Sequence, residues 1–403
     1  MKAVRAALRW LYSPANALPI CLAAGLLLPS NAAWSTFFYI IGWPAVAWRL
    51  YKGWRPDWSN RATVAMLALW GWSSLTIIWE SNNSHHGDGR GYWLANTVST
   101  GAFLLGVMMA ARDEPKTRAR MINVMIWCGA AAATLSIILR FSLHIWLDRL
   151  GGWGALNLAV LGAAVVVVCI LLALGRVIEG RRGYLIALVP LLVYLPLNGS
   201  RTAILALLCG LLVLATNSRK TLLYLTLAGL SLLLLCGVTY SLHFDWVDNA
   251  LKTAIARGSD CHILIWRTAW GLFLQQPMFG LGPSARLPIL PHGACPAYPS
   301  PHNLYLSLLV YSGLIGFALF WLCEVLVLKH LLRRTFALTT RVGLSVMLVP
   351  LIAGLTDLTQ VIKGPSPLWY IIWLPLLLVV SLPDAGPESP DMSLTSRWSL
   401  PRG

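Results

Sequence analysis

Apolar residues run through this chain in long blocks separated by short polar connections. Twelve blocks are predicted as helices, near 14–30, 33–48, 62–79, 93–111, 121–145, 155–175, 184–198, 202–217, 221–240, 303–328, 342–360 and 367–382. About 20 apolar residues, at 1.5 Å rise each, cross a ~30 Å hydrocarbon core. The pattern therefore predicts an all-α polytopic membrane protein with about twelve transmembrane helices, forming one domain over 1–382. One stretch breaks the rhythm. Between the ninth and tenth blocks lies a long loop, 241–302, whose centre CHILIWRTAWGLFLQQ is apolar but too short to span, so it is predicted as a re-entrant or interfacial helix. Ile263, Trp266, Trp270 and Phe273 are spaced to share one face of it. The next stretch, PMFGLGPSARLPILPHGACPAYPSP, holds seven prolines and cannot be helical. Long loops in compact proteins are commonly functional, so the candidate site is expected here. The tail 383–403, rich in Pro, Ser and Gly, is expected to be disordered.

Composition agrees with lipid as the main solvent: 57% of residues are hydrophobic and only 11% charged, against about 25% in soluble domains. The net charge of +16 invites a nucleic-acid reading. Its placement argues otherwise, because with an internal N-terminus most of the 31 Lys and Arg fall in the connections on one side. That is the cytoplasmic bias of membrane topology, and it puts both termini in the cytoplasm and the 241–302 loop outside. No cleavable signal sequence is read in the first apolar stretch. The 20 tryptophans, including Trp48, Trp79, Trp93, Trp146 and Trp369 at block ends, suggest mostly an interfacial belt. Six of the eight cysteines lie inside blocks; Cys261 and Cys295 share the outer loop and are candidates for a disulfide.

Chemistry is sparse, which makes its positions informative. His302 follows Pro299-Ser300-Pro301 and is expected in the first turn of the tenth helix, with Ser300 a possible cap. There the helix dipole disfavours imidazolium, and a neutral imidazole can accept a proton from a hydroxyl; an interfacial histidine satisfied by water has the same position. Arg201, in the turn Leu197-Asn198-Gly199-Ser200-Arg201, is a charge near membrane depth that needs an anionic partner or reaches the headgroups. Asp357 and Lys363 bracket the turn after the eleventh block, where they either orient His302 and bind phosphate or pair with each other. Arg286 in Gly280-Leu-Gly282-Pro-Ser-Ala-Arg286 stands where glycines let backbone amides approach a phosphate. Carboxylates on the outer side are few, with Asp245 and Asp248 the only close pair, so neutralisation of an anion by arginine is expected rather than by metal. His85 and His86 with Asp88 read as an exposed loop.

The phrase PSPHNLYLSLLVYSGLIG (299–316), preceded by QQPMFGLGPSA (275–285), resembles the signature of the O-antigen ligase and polymerase superfamily. LNGSRTAILALL (197–208) is similar to that superfamily's arginine-bearing turn. The resemblance implies a GT-C-type glycosyltransferase of the bacterial inner membrane with a periplasmic active site. Its members of the ligase type move a glycan from undecaprenyl diphosphate to lipid A–core, with no metal, nucleotide or other cofactor. By that resemblance His302 is the base or acceptor-positioning residue with Asn303 beside it, Arg201 holds the donor diphosphate, and Asp357 and Lys363 correspond to an acid and a base of the family. Where relatives often carry an arginine this chain has His262, so the second cation on the diphosphate is His262, Arg257, Arg267 or Arg286. Membrane lipids are the expected surroundings and nucleic acid is not an expected partner.

Two other readings stand beside this one. A polymerase uses the same donor and adds the glycan to another lipid-linked glycan. A transporter or flippase suits twelve spans, but it would place charged and broken-helix features near the midplane, whereas the unusual residues here gather on one face.

Overall fold

The computed structural model describes residues 10–80, 89–113, 115–143, 150–216, 260–288, 300–333 and 338–382. Among them there is no strand, and helices fill every predicted block except the ninth, 221–240, which lies outside the described residues. The helices are α1 (Pro14–Leu27), α2 (Asn31–Tyr51), α3 (Arg61–Leu75), α4 (Arg90–Asp113), α5 (Pro115–Ser142), α6 (Ala159–Ile178), α7 (Leu185–Asn198), α8 (Arg201–Ala215), α9 (Asp260–Phe273), α10 (Leu304–Leu332), α11 (Leu338–Ala353) and, after a π-turn at Trp369–Trp373, α12 (Leu374–Val380). Four stretches, Arg90–Arg112, Lys116–Ser142, Ala159–Ile178 and Leu304–Leu332, are long and apolar enough to cross a membrane. Helices such as α1, α8 and α11 are apolar but shorter. Among the described residues the fold is all-helical and consistent with a membrane protein, with four of the twelve expected crossings long enough to span.

Local chemistry explains where the helices begin. Ser30, Asn60, Ser200 and Asn303 occupy N-cap positions of α2, α3, α8 and α10, each accepting a hydrogen bond from a backbone amide of the first turn. Gly199 closes α7 in the left-handed conformation, φ 67°, and lets α8 start two residues later.

The core is aromatic at its centre. Trp369 stacks on Phe103 with ring centroids 4.4 Å apart, and Trp34 stacks on Tyr370 at 5.2 Å. The Tyr370 hydroxyl donates to the Leu22 carbonyl, and the Trp373 indole donates to Val361. Trp369 is 1% exposed, so it is a packing anchor rather than part of an interfacial belt. Trp93 is buried as well, whereas Trp48 is 54% exposed as a belt residue should be. The difference arises because the segment before α12 turns inward against α1, α2 and α4.

The helix that carries the histidine motif is not straight. Gly313, at φ 65° and ψ −169°, breaks α10 into a short arm, 304–312, and a long arm, 314–332. The Tyr305 ring stacks on Trp321 at 5.7 Å with an interplanar angle of 4° and meets Phe320 edge-on. Sixteen residues of straight helix would hold Tyr305 and Trp321 about 24 Å apart, so the short arm folds back along the long one. This corrects the expectation of one continuous helix over 303–328.

A backbone ladder fixes the break. Leu314 N–H donates to the Pro277 carbonyl at 2.8 Å, Leu281 N–H to Val310 at 2.7 Å and Gly282 N–H to Tyr311 at 3.1 Å. From α3 and the segment after it, the Trp72 indole donates to the Ser312 carbonyl and the Trp79 indole to Gly280. Gly280 lies against the break so closely that a Cβ there would sit 2.6 Å from the Ser312 and Gly313 amides.

Candidate active site

The short arm of α10 delivers His302 to the end of α11. Asn303, not Ser300, caps the arm: its Oδ1 accepts from Leu306 N–H at 3.0 Å, while its Nδ2 donates to the Leu355 carbonyl at 2.9 Å. Leu304 N–H donates to Gly354 at 2.7 Å, and the Tyr305 hydroxyl donates to Leu351 at 2.6 Å. His302 therefore precedes the first turn instead of lying in it. With φ 48° it is the one non-glycine residue of positive φ among those described. A left-handed histidine is held only where its surroundings over-determine it, and the three bonds to 351–355 supply that constraint.

Asp357 stands next to this junction. Thr356 Oγ1 donates to Asp357 Oδ2 at 2.6 Å, and the Thr356 and Thr202 hydroxyls are 2.7 Å apart. Thr202 directly follows Arg201 in the first turn of α8, which packs along α11. A hydrogen-bonded track thus joins the Arg201 turn to the Asp357 carboxylate, whose charge acts on His302. His262, in the first turn of α9, also acts electrostatically on His302. His262, His302, Asn303 and Asp357 meet from three separate stretches of chain, and the turn that carries the exposed Arg201 joins them through Thr202. Thr202, Thr356 and Tyr305 were not singled out from the sequence; the adjacency of the two threonines to Arg201 and Asp357 was the available signal.

Burial holds the His302 imidazole below the ordinary histidine value of 6.5; Asp357 pulls it up and His262 pushes it further down. Desolvation is the largest of the three. The neutrality expected from a helix dipole is thus produced mainly by burial.

The remaining candidate cations fall elsewhere. Arg267 is exposed on α9, five residues beyond His262 and so about 140° round the helix from it. The buried face of α9 is Ile265, Ala269 and Phe273, packed on Leu309, Val310 and Tyr311 of the short arm. Ile263 and Trp270 are 61% and 48% exposed, so the expected face is corrected by a rotation of the helix. At 14 residues α9 is too short to cross a bilayer. Arg286 is exposed, and its charge acts on the Tyr311 phenol. The amides of Gly280 and Gly282 do not await a phosphate: they donate to the Gln276 and Tyr311 carbonyls. These glycines serve the break in α10.

Lys363 is exposed in the 354–368 loop. That loop is held in place by Gly364 N–H donating to Asn96 Oδ1 at 2.9 Å and by Gln360 donating to the Pro283 carbonyl at 3.1 Å. Cys261 is in a disulfide; Cys295, its expected partner, lies outside the described residues, as do Arg257, Asp245, Asp248, His85, His86 and Asp88. Among the described residues, no group of three His, Cys, Asp or Glu side chains could hold a metal ion.

Asn303 gives a direct test of the junction. Asn303→Ala is expected to remove the cap, worth about 0.5–2 kcal/mol, and to lower the midpoint of thermal unfolding. Asn303→Asp keeps an oxygen for Leu306 N–H but cannot donate to Leu355. It is expected to unfold near the wild-type temperature while losing catalytic rate, because the arm is capped but no longer seated. Equal rates for Asn303→Asp and wild type would show that the Leu355 bond positions nothing.

Residues 186–321 match the family model described as O-antigen ligase. The matched stretch contains Arg201, His262, His302 and Asn303, while Asp357 comes from beyond it. No curated protein matches the chain. The matched stretch spans the arginine turn and the histidine junction and is similar to the O-antigen ligase family, and the described residues include four helices long and apolar enough to cross a membrane.

Proposed function

We propose that this protein is an O-antigen ligase of the GT-C type, moving glycan from undecaprenyl diphosphate to a hydroxyl of lipid A–core on the periplasmic face of the inner membrane. The reading is supported by the hydrogen-bonded track from Thr202, next to Arg201, through Thr356 to Asp357, with His302 beside it, its pKa held down by burial. Only a base that is unprotonated at neutral pH can take a proton from an acceptor hydroxyl. Only a fixed cation in a partly dry site can meet the charge of a departing diphosphate before it develops.

In this mechanism the acceptor hydroxyl faces His302 and the donor diphosphate lies against Arg201. The acceptor oxygen forms a bond to the anomeric carbon as the bond from that carbon to the diphosphate oxygen breaks. The hydroxyl proton passes to the His302 imidazole, and the electron pair leaves with undecaprenyl diphosphate. Asp357 stabilises the imidazolium as it forms. His262 is the second group against the diphosphate: of the described candidates it is the one whose charge acts on His302, and Arg267 is turned away. Lys363 serves phosphate binding from the exposed rim of the same end.

The test is the glycolipid profile of a strain lacking this gene, complemented with wild type or Arg201→Ala. Long glycan on undecaprenyl diphosphate with bare lipid A–core in the deletion strain is the expected result. Core carrying single repeat units would overturn it in favour of a polymerase. Losing a charge-assisted contact costs about 1.5–3 kcal/mol, so Arg201→Ala is expected to lower kcat/KM for the lipid-linked donor by roughly 10–150-fold. In purified protein, wild-type transfer by Arg201→Ala would remove the arginine from the donor site.

A further inference from the structure

At the C-terminal end of α10 lies a cavity of about 320 Å³ between the last turn of the long arm and the segment joining α2 to α3. Tyr305, three residues after His302, stacks on Trp321, and Lys329 lies about 12 Å further along the long arm, so this cavity is separate from the His302 junction. Arg61, Lys329, His330 and Arg333 line it, with Asp57 as the carboxylate among them. Asp57 is already engaged, since Ser59 N–H and Ser59 Oγ donate to its Oδ1 at 3.0 and 2.6 Å and the charge of Arg112 acts on it. Among the described residues no ion pair involves Arg61, Lys329 or Arg333. Three cations therefore converge on one cavity with no carboxylate of their own, an arrangement that favours an anion.

Its surroundings choose which anion. Leu322 and Val325 precede Lys329 by seven and four residues, so the three share one stripe of the helix. Leu322, Val325 and Leu332 are 47%, 55% and 44% exposed, an outward apolar track that ends in a lysine. Trp58, beside Ser59 at the mouth, is 61% exposed, as an indole at a headgroup boundary would be. A soluble phosphate would need the cations but neither the track nor the indole.

We propose that this pocket is a binding site for an anionic phospholipid, its headgroup phosphate among Arg61, Lys329 and Arg333 and its acyl chains along the Leu322–Val325 stripe. The lipid ties the α2–α3 segment to the end of α10. The proposal is independent of which glycan transfer the His302 junction performs.

Native mass spectrometry of the purified full-length protein tests it, with phosphatidylglycerol and phosphatidylethanolamine added in turn. Phosphatidylglycerol should be retained about tenfold or more over phosphatidylethanolamine, each cation being worth roughly fivefold near a membrane surface. The exposed pair Lys329→Ala with Arg333→Ala should abolish that preference, and Lys329→Arg with Arg333→Lys should keep it. Millimolar inorganic phosphate should leave retention unchanged. Equal retention of the two lipids, or an unchanged preference in the double alanine variant, would overturn the site. Displacement of the lipid by inorganic phosphate would overturn the lipid assignment and leave a soluble-phosphate pocket. Circular dichroism of both double variants separates loss of binding from loss of fold.

Discussion

Transfer by purified protein should fall about 10²–10⁴-fold when His302 is replaced by alanine, the range for removing a general base. The loss should lie in kcat more than in the KM for the donor, because in the proposed mechanism Arg201, and not the imidazole, holds the donor diphosphate. The pH profile gives the sharper test. Burial lowers the pKa of His302 below 6.5, so the base is unprotonated at neutral pH and becomes protonated only as pH falls through that lowered value. The rate should be flat across neutral pH and drop along an acid limb centred below 6.5. Asp357 raises the proton affinity of His302, so Asp357→Asn should move the limb to still lower pH. It should also slow the plateau, since the imidazolium formed in transfer loses its carboxylate. An acid limb centred above pH 7 would contradict a buried neutral base. A limb that stays in place in Asp357→Asn would show that the carboxylate acts on something other than His302.

The residues of this cluster were legible in the sequence for a simple reason. A charged or titratable side chain in an apolar chain is conspicuous, and Arg201, His302 and Asp357 each stand at the end of an apolar block beside a glycine, a proline or a threonine. Their neighbourhood was legible only in outline. Nothing local in LNGSRT or GLTD says that Thr202 and Thr356 share a hydrogen bond, because that contact depends on α8 packing along α11.

Two misreadings have one physical origin. The faces of α9 and the placement of Trp369 were inferred from apolar spacing, but in a membrane protein both the core and the lipid are apolar. Hydrophobicity then marks the helix without fixing its rotation. Ile263 and Trp270 face outward although they are as apolar as Ile265 and Phe273, which are buried. Trp369 is likewise a block-end tryptophan by sequence and the centre of an aromatic core by structure. The break at Gly313 was hidden for another reason: LSLLVYSGLIGFALF reads as uninterrupted apolar helix, and the conformation of its glycine is imposed by 277–282, some thirty residues earlier.

That imposed conformation makes Gly313 the second position of large expected effect. At φ 65° and ψ −169° it occupies backbone space that is essentially reserved for glycine, where a side chain costs about 1–3 kcal/mol. A Cβ would also overlap the Met278 carbonyl, which is backbone and cannot swing aside. Gly313→Ala must either detach the 277–282 ladder or open the angle between the arms. Each outcome moves the far end of the short arm, where His302 sits, and a displacement of about 1 Å in a catalytic group can cost on the order of 100-fold. The variant is expected to insert and fold with a lowered unfolding midpoint and to lose transfer about 100-fold. Gly71→Ala makes the same chemical change in α3, where a Cβ meets nothing within 4 Å; it should match or slightly exceed wild-type stability and retain full activity. Wild-type rates in Gly313→Ala would mean that the fold-back does not seat the histidine. If the ladder is what matters, Gly280→Ala, which presses on the same break from the loop side, should lose activity in parallel with Gly313→Ala and not with Gly71→Ala.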